Sequence, residues 1–134
     1  MKKIVFICGC LAIVFSCTPN TEFWIVEGTV IDASNKEGID SAEVYLSVPN
    51  IELVDHSEYT DSSGIFRHYP YSTEVFNFDD LRKLDFHFII SKKGYIEMDT
   101  IISGDLLRYG SIDNYRDTVY LDSVALIKDL NGNR

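Results

Sequence analysis

The chain has 134 residues and a formal net charge of −9, and 46% of its residues are hydrophobic. This length fits one domain that buries its own apolar core. The acidic balance argues against a surface for nucleic-acid phosphates or anionic lipid headgroups, so we expect no nucleic-acid partner.

The first seventeen residues have the three parts of a bacterial secretory signal. Lys2 and Lys3 precede an apolar run over residues 4–15, and the small residue Ser16 follows it. The run is shorter than the roughly 20 residues that a membrane-spanning helix needs. We therefore predict a cleaved leader over residues 1–16 rather than a permanent transmembrane anchor.

The sequence Val-Phe-Ser-Cys that ends at Cys17 resembles the lipobox of bacterial lipoproteins, in which cleavage precedes a cysteine that carries lipid. All three cysteines, Cys8, Cys10 and Cys17, lie in this stretch. Lipidation gives Cys17 a use, whereas an ordinary signal would leave an incidental thiol. Since Thr18 rather than Asp follows, the resemblance implies a membrane partner held through lipid on Cys17, at the outer membrane of the cell envelope. The sequence does not distinguish between the periplasmic and the surface face of that membrane.

A polar, lipidated tether is predicted over residues 17–22, a domain over 23–128 and a frayed tail over 129–134. Within the domain, apolar residues alternate with polar ones: Phe86, Phe88 and Ile90 share one face of a strand. Short strands of this kind, separated by turns, predict an all-β antiparallel sandwich. The predicted strands cover residues 24–31, 42–48, 51–60, 65–69, 85–91, 96–102 and 117–127.

Residues 59–66 (YTDSSGIF) predict a tight β-hairpin between a strand ending at Thr60 and one beginning at Ile65. The Asp61 side chain can accept hydrogen bonds from the turn backbone, and Gly64 can adopt a positive φ. Asp61 and Gly64 are therefore the predicted structural turn residues.

Two connections are longer than the turns. In residues 71–84, Asn77 is a candidate cap for a short helix with Asp79 and Asp80 in its first turn, the arrangement that the helix dipole favours. Residues 103–116 predict one helical turn ending at Gly110.

Four segments together resemble the carboxypeptidase regulatory-like domain. They are residues 26–32 (VEGTVID), 38–44 (GIDSAEV), 60–66 (TDSSGIF) and 93–95 (KGY). The resemblance covers residues 24–126 and implies a transthyretin-like, seven-stranded Greek-key sandwich. It also implies a non-catalytic module, of the kind found in small free-standing lipoproteins of Bacteroidota. Ser41 departs from a common glycine, and both long connections exceed the family's usual loops.

Metal binding and catalysis have few candidates. His56, His68 and His87 could meet across a sheet, but no close ligand pair is present, which favours ordinary strand histidines. The Asp61 turn lacks the following acidic ligands of a calcium loop. There is no G-x-S-x-G motif, no cysteine beyond Cys17, and no serine with a base nearby in sequence. We therefore predict no metal, no cofactor and no enzymatic activity.

Aromatic residues crowd the two long connections and are the remaining candidate for recognition. Exposed together they would form a binding surface for a glycan or an envelope protein; otherwise they cover the open end of the sandwich. The prediction is a lipid-anchored structural or protein-interaction module, with a glycan-binding accessory lipoprotein as the alternative. The candidate surface consists of Tyr69, Tyr71, Phe76, Phe78, Tyr109 and Tyr115.

Overall fold

The computed structural model describes residues 24–53, 56–70, 78–111 and 117–131. Eight strands, one short α-helix and one 3-10 helix occur in these ranges. The strands are β1 (Trp24–Asp32), β2 (Glu43–Ser47), β3 (Ser57–Tyr59), β4 (Ile65–His68), β5 (Asp85–Ser91), β6 (Met98–Ser103), β7 (Arg108–Ser111) and β8 (Asp117–Leu126). Helix α1 is Phe78–Leu81, and the 3-10 helix η1 is Gly104–Leu106.

The strands form two four-stranded sheets. The first has the order β4-β1-β8-β7 and the second the order β3-β2-β5-β6. Period-two alternation places one side of β1, β2, β4, β5 and β8 in a shared apolar core. Phe66, Phe86 and Phe88 are among the largest fully buried side chains, and Val44 is 1% exposed. The all-β architecture and the buried faces that the alternation predicts are therefore confirmed.

The predicted strand count and strand directions need correction. Eight strands are described rather than seven, and β1 pairs with β8 in parallel. The additional strand is β7, in the connection where a helical turn ending at Gly110 was predicted. Gly110 lies within β7, where it pairs with Thr118 of β8. The Tyr120 ring of β8 occupies the space beside it, 3.2 Å from where a Cβ would stand. Greek-key connectivity stays a prediction.

The turn at residues 61–64 is a corner between the two sheets, so the predicted hairpin is wrong in its pairing. Strand β3 before the turn pairs with β2, whereas β4 after it pairs with β1. The Asp61 carboxylate accepts hydrogen bonds from the backbone N–H groups of Ser63 (2.8 Å) and Ile65 (3.0 Å), and Gly64 has φ +77°. The local turn chemistry thus redirects the chain to the other sheet.

The connection before β5 contains the one turn of α1, which carries Asp79 and Asp80. Arg82 and Lys83 form ion pairs with these two residues at 3.5 and 3.7 Å. Asn77, the expected cap, lies outside the described residues. No helix in the described ranges is long and apolar enough to cross a membrane.

Candidate functional site

The outward face of the second sheet carries three polar side chains on adjacent strands. Strand β5 lies between β2 and β6, and its register pairs Ser47 with His87 and Ile89 with Asp99. Asp99 therefore lies diagonally across from His87, within reach of a long side chain. Strand pairing assembles the three residues although they are distant in sequence.

These residues form a continuous set of contacts, which we call the Ser47–His87–Asp99 row. Asp99 Oδ1 lies 2.6 Å from His87 Nε2, and Ser47 Oγ lies 3.4 Å from His87 Nδ1. An ionised carboxylate only accepts hydrogen bonds, so Nε2 carries the donated proton. In a neutral imidazole this leaves Nδ1 as an acceptor facing the serine hydroxyl. The row therefore has the donor and acceptor order of a serine–histidine–acid arrangement.

A shallow depression of about 410 Å³ contains two members of the row. The Asp99 side chain at the end of the row is 63% exposed, whereas that of His87 is 30% exposed. Tyr45 and Ile89 face each other in the register and supply apolar surface beside the imidazole. The depression is lined by Glu43, Tyr45, Ser47, His87, Ile89, Ser91 and Glu97.

The other two histidines serve different local structures. The His56 ring stacks on Tyr45, with centroids 5.3 Å apart, and its Nδ1–H donates to the Leu46 carbonyl at 3.0 Å. His68 ends β4 in the first sheet and is 2% exposed. The three histidines do not form one cluster. Across the described ranges, no group of three or more His, Cys, Asp or Glu side chains could hold a metal ion.

A second polar cluster centres on the buried carboxylate of Asp32 at the end of β1. It accepts hydrogen bonds from Tyr95 Oη (2.8 Å), Lys128 Nζ (3.0 Å) and the Ser34 backbone N–H (2.7 Å). Hydrogen bonds from Ser34 and Lys128 hold the Asp32 pKa well below its ordinary value. The same carboxylate raises the pKa of Tyr95 and of Lys128. The cluster joins the end of β1 to the turn before β6 and the segment after β8, and its contacts are structural.

The predicted aromatic surface stays a prediction, because three of its six residues lie outside the described ranges. Tyr69 follows β4 and Tyr109 lies in β7, at opposite edges of the first sheet. Tyr109 donates to the Gly104 carbonyl at 2.6 Å, and the Arg82 guanidinium lies 5.0 Å from its ring. Phe78 begins α1. Tyr71, Phe76 and Tyr115 lie outside the described residues, as does Cys17.

The Ser47–His87–Asp99 row was not found from the sequence. Each residue occupies an outward position of a predicted strand, but the register that makes them neighbours is tertiary. Ser47 and His87 are 40 residues apart in the chain, so their proximity leaves no local sequence motif. The sequence signal that could have indicated the row was the presence of polar residues at outward positions of several predicted strands.

Comparisons with known proteins identify solved structures that have a similar fold. No protein-family model matches the sequence, and no curated protein matches it. A solved catechol 1,2-dioxygenase of Acinetobacter radioresistens is similar, with a TM-score of 0.58 and 15% identity, over 84% of this chain and 54% of that one. A hydroxyquinol 1,2-dioxygenase of Pseudomonas putida matches with a TM-score of 0.56 and 13% identity, over 81% and 57% of the two chains.

The fold is shared with the catechol 1,2-dioxygenases. A 3-chlorocatechol 1,2-dioxygenase of Rhodococcus opacus gives the same result, with a TM-score of 0.55 and 17% identity, over 81% of this chain. The chain spans 54–60% of the length of these dioxygenases. At such low identity the dioxygenase likeness establishes architecture alone.

This dioxygenase likeness corrects the family assignment. The sequence is not matched to a carboxypeptidase regulatory-like domain, because no family model matches and the structural neighbours are dioxygenases. The four segments that resemble the carboxypeptidase regulatory-like domain reflect packing requirements of a β-sandwich rather than membership of that family. A Cβ on Gly28 would lie 2.7 Å from the Phe66 ring, and one on Gly64 would lie 2.3 Å from the Val30 carbonyl oxygen. Both positions therefore require glycine for steric reasons, and these glycines do not identify a family.

The functional expectations are corrected with it. The neighbours are enzymes, which overturns the prediction of a non-catalytic lipoprotein module and of no enzymatic activity. The glycan-binding alternative finds no support among these neighbours either.

Proposed function

We propose that the chain is an enzyme that hydrolyses esters at the Ser47–His87–Asp99 row. The observation that carries the proposal is the uninterrupted set of contacts from Asp99 through His87 to Ser47 across three adjacent strands. A nucleophile beside a base that is oriented by an acid is the general arrangement for acyl transfer.

Each residue has a distinct part in the reaction. Asp99 fixes the imidazole and stabilises its protonated form. His87 Nδ1 accepts the Ser47 hydroxyl proton while Oγ attacks the ester carbonyl, and it then returns that proton to the leaving alcohol. Water, deprotonated by the same nitrogen, hydrolyses the acyl-serine and restores the hydroxyl. The 3.4 Å separation exceeds an ideal hydrogen bond, and such contacts shorten when substrate binds.

The depression suits a small substrate with some apolar surface. Its volume lies within the range of ligand sites. Tyr45 and Ile89 can contact an apolar acyl or alcohol group next to the reacting carbonyl. We therefore expect short-chain esters to be better substrates than long-chain ones.

Hydrolysis of 4-nitrophenyl acetate and butyrate by the full chain tests the proposal. We expect Ser47→Ala and His87→Gln each to lower the rate by about 10²–10⁴-fold, since that is the usual contribution of general-base catalysis. Ser91→Ala is the matched control, because Ser91 lines the same depression without joining the row. A fluorophosphonate probe should label Ser47, as identified by peptide mass spectrometry. An equal loss in Ser91→Ala, or no labelling of Ser47, would refute this role.

Oxidative cleavage of a catechol is a second candidate, favoured by the shared fold. Oxygen uptake with catechol or hydroxyquinol as substrate tests it directly. If uptake rises above the buffer rate and persists in Ser47→Ala, the oxidative candidate replaces the hydrolytic one.

Cellular location is a separate proposal. We infer an envelope protein tethered through lipid on Cys17, from the basic, apolar and cysteine-terminated order of residues 1–17. This inference is independent of the chemistry at the Ser47–His87–Asp99 row.

A further inference from the structure

The second sheet ends at β6, which has the features of an exposed pairing edge. The strand Met98–Ser103 contains no Pro, Gly, Lys or Arg, and Ile101 is 66% exposed. Natural proteins protect sheet edges with short strands, charged side chains, prolines or bulges. The other described edges follow this rule: β3 has three residues, while β4 and β7 have four each and both contain arginine. Strand β6 is six residues long, and its one charged side chain, Asp99, is held by His87 of β5, the strand on its paired side.

We propose that β6 pairs with β6 of a second copy of the chain, antiparallel and about a two-fold axis at Ile101. This register places Ile101 opposite Ile101 of the second copy and Asp99 opposite its Ser103. The exposed isoleucines then cover each other, and the Ser103 hydroxyl can donate to the Asp99 carboxylate. No like charges face each other across the pair.

Neighbouring registers are less complementary. A side-chain period of two requires that outward residues face outward residues, so the axis must pass through a residue position. With Thr100 on the axis, Asp99 would face Ile101 of the second copy, which sets a carboxylate against an apolar side chain. The register centred on Ile101 is therefore the one in which both the apolar and the polar side chains have suitable partners.

The pairing would join two sheets into one of eight strands and would extend an existing side-chain row. Ile101 is the register partner of His87 in β5, so two His87 side chains would flank the paired isoleucines. The contact is small by the standards of stable interfaces, and both copies are acidic. We therefore infer a weak dimer that strengthens as salt screens the repulsion between copies.

Sedimentation equilibrium of the full chain at micromolar to millimolar concentration tests the dimer. Ile101→Lys places two cations opposite each other, and we expect the dissociation constant of the dimer to rise about fivefold. Ile127→Lys is the matched control, since Ile127 is 62% exposed outside the strands. A dimer unaffected by Ile101→Lys, or a monomer at every concentration and salt level, would overturn the proposal.

Cysteine cross-linking tests the register, in chains whose three natural cysteines are replaced by serine. Ile101→Cys should oxidise to a disulfide-linked dimer. Asp99→Cys alone should not, because the two copies of residue 99 would lie roughly 13 Å apart, beyond the about 7 Å limit for a disulfide. A mixture of Asp99→Cys and Ser103→Cys chains should cross-link again. If Asp99→Cys chains cross-link as well as Ile101→Cys chains, the proposed register is wrong.

Discussion

Replacing Gly64 by alanine should destabilise the fold far more than the same change at Gly94. Both glycines have positive φ, +77° and +87°, which costs an alanine about 1–2 kcal/mol. At Gly94 a Cβ meets nothing within 4 Å, so only this cost applies. At Gly64 the Cβ would lie 2.3 Å from the Val30 carbonyl oxygen and 2.8 Å from Ile39 N. Relieving that overlap adds about 1–3 kcal/mol.

A hydrogen bond is also at risk, because the Val30 N–H donates to the Gly64 carbonyl at 2.8 Å. Its loss would cost about 1 kcal/mol. The expected losses in the free energy of unfolding are therefore about 1–2 kcal/mol for Gly94→Ala and about 3–6 kcal/mol for Gly64→Ala.

Thermal unfolding followed by the fluorescence of Trp24, the single tryptophan, measures both variants. At about 4 °C per kcal/mol for a chain of this size, Tm should fall by about 4–8 °C in Gly94→Ala and by about 12–24 °C in Gly64→Ala. Urea titration gives the same comparison without heating. Equal losses in the two variants would show that contact between the corner and β1 contributes nothing, and would refute the steric argument.

Two further predictions concern the Asp32 cluster and the leader. Since hydrogen bonds lower the Asp32 pKa, its carboxylate contributes stability above the ordinary Asp pKa of about 3.9, and this contribution is lost as pH falls below it. Asp32→Asn should therefore be less stable at pH 7 yet lose less on acidification than wild type, with exposed Asp122→Asn behaving as wild type; parallel urea-midpoint profiles for Asp32→Asn and wild type would contradict this. Cys17→Ala should release the protein from the membrane fraction, as followed by immunoblotting, whereas unchanged retention would exclude lipid attachment at that residue.

The sequence was sufficient to predict the elements with strong alternation. Phe86, Phe88 and Ile90 are completely buried, as their shared face in β5 requires. Strand β7 was missed because its four residues do not alternate, and because Gly110 suggested a helix end rather than space for the Tyr120 ring. Local patterns therefore identified strands but could not show what packs against a glycine.

The sequence could not predict which strands pair with one another. Asp61 and Gly64 indicated a turn, yet only the hydrogen-bonding partners β2 and β1 decide that it changes sheets. The same limitation concealed the candidate site, since His87 reaches Ser47 and Asp99 through cross-strand register. The short motifs were also poor guides to family. Gly64 at the corner and Gly28 beside the Phe66 ring meet packing requirements that a β-sandwich of any family can have.

The parallel pairing of β1 with β8 has a consequence for biosynthesis. Trp24 pairs with Asp117, so β1 acquires β8 as its neighbour only after nearly all of the described chain has been translated. Until then one side of β1 has open backbone groups, which can recruit other chains. Closing so long a loop also delays folding. In the nascent chain, β1 therefore lacks its β8 neighbour until translation is almost complete, and a chaperone bound to β1 would act in that interval.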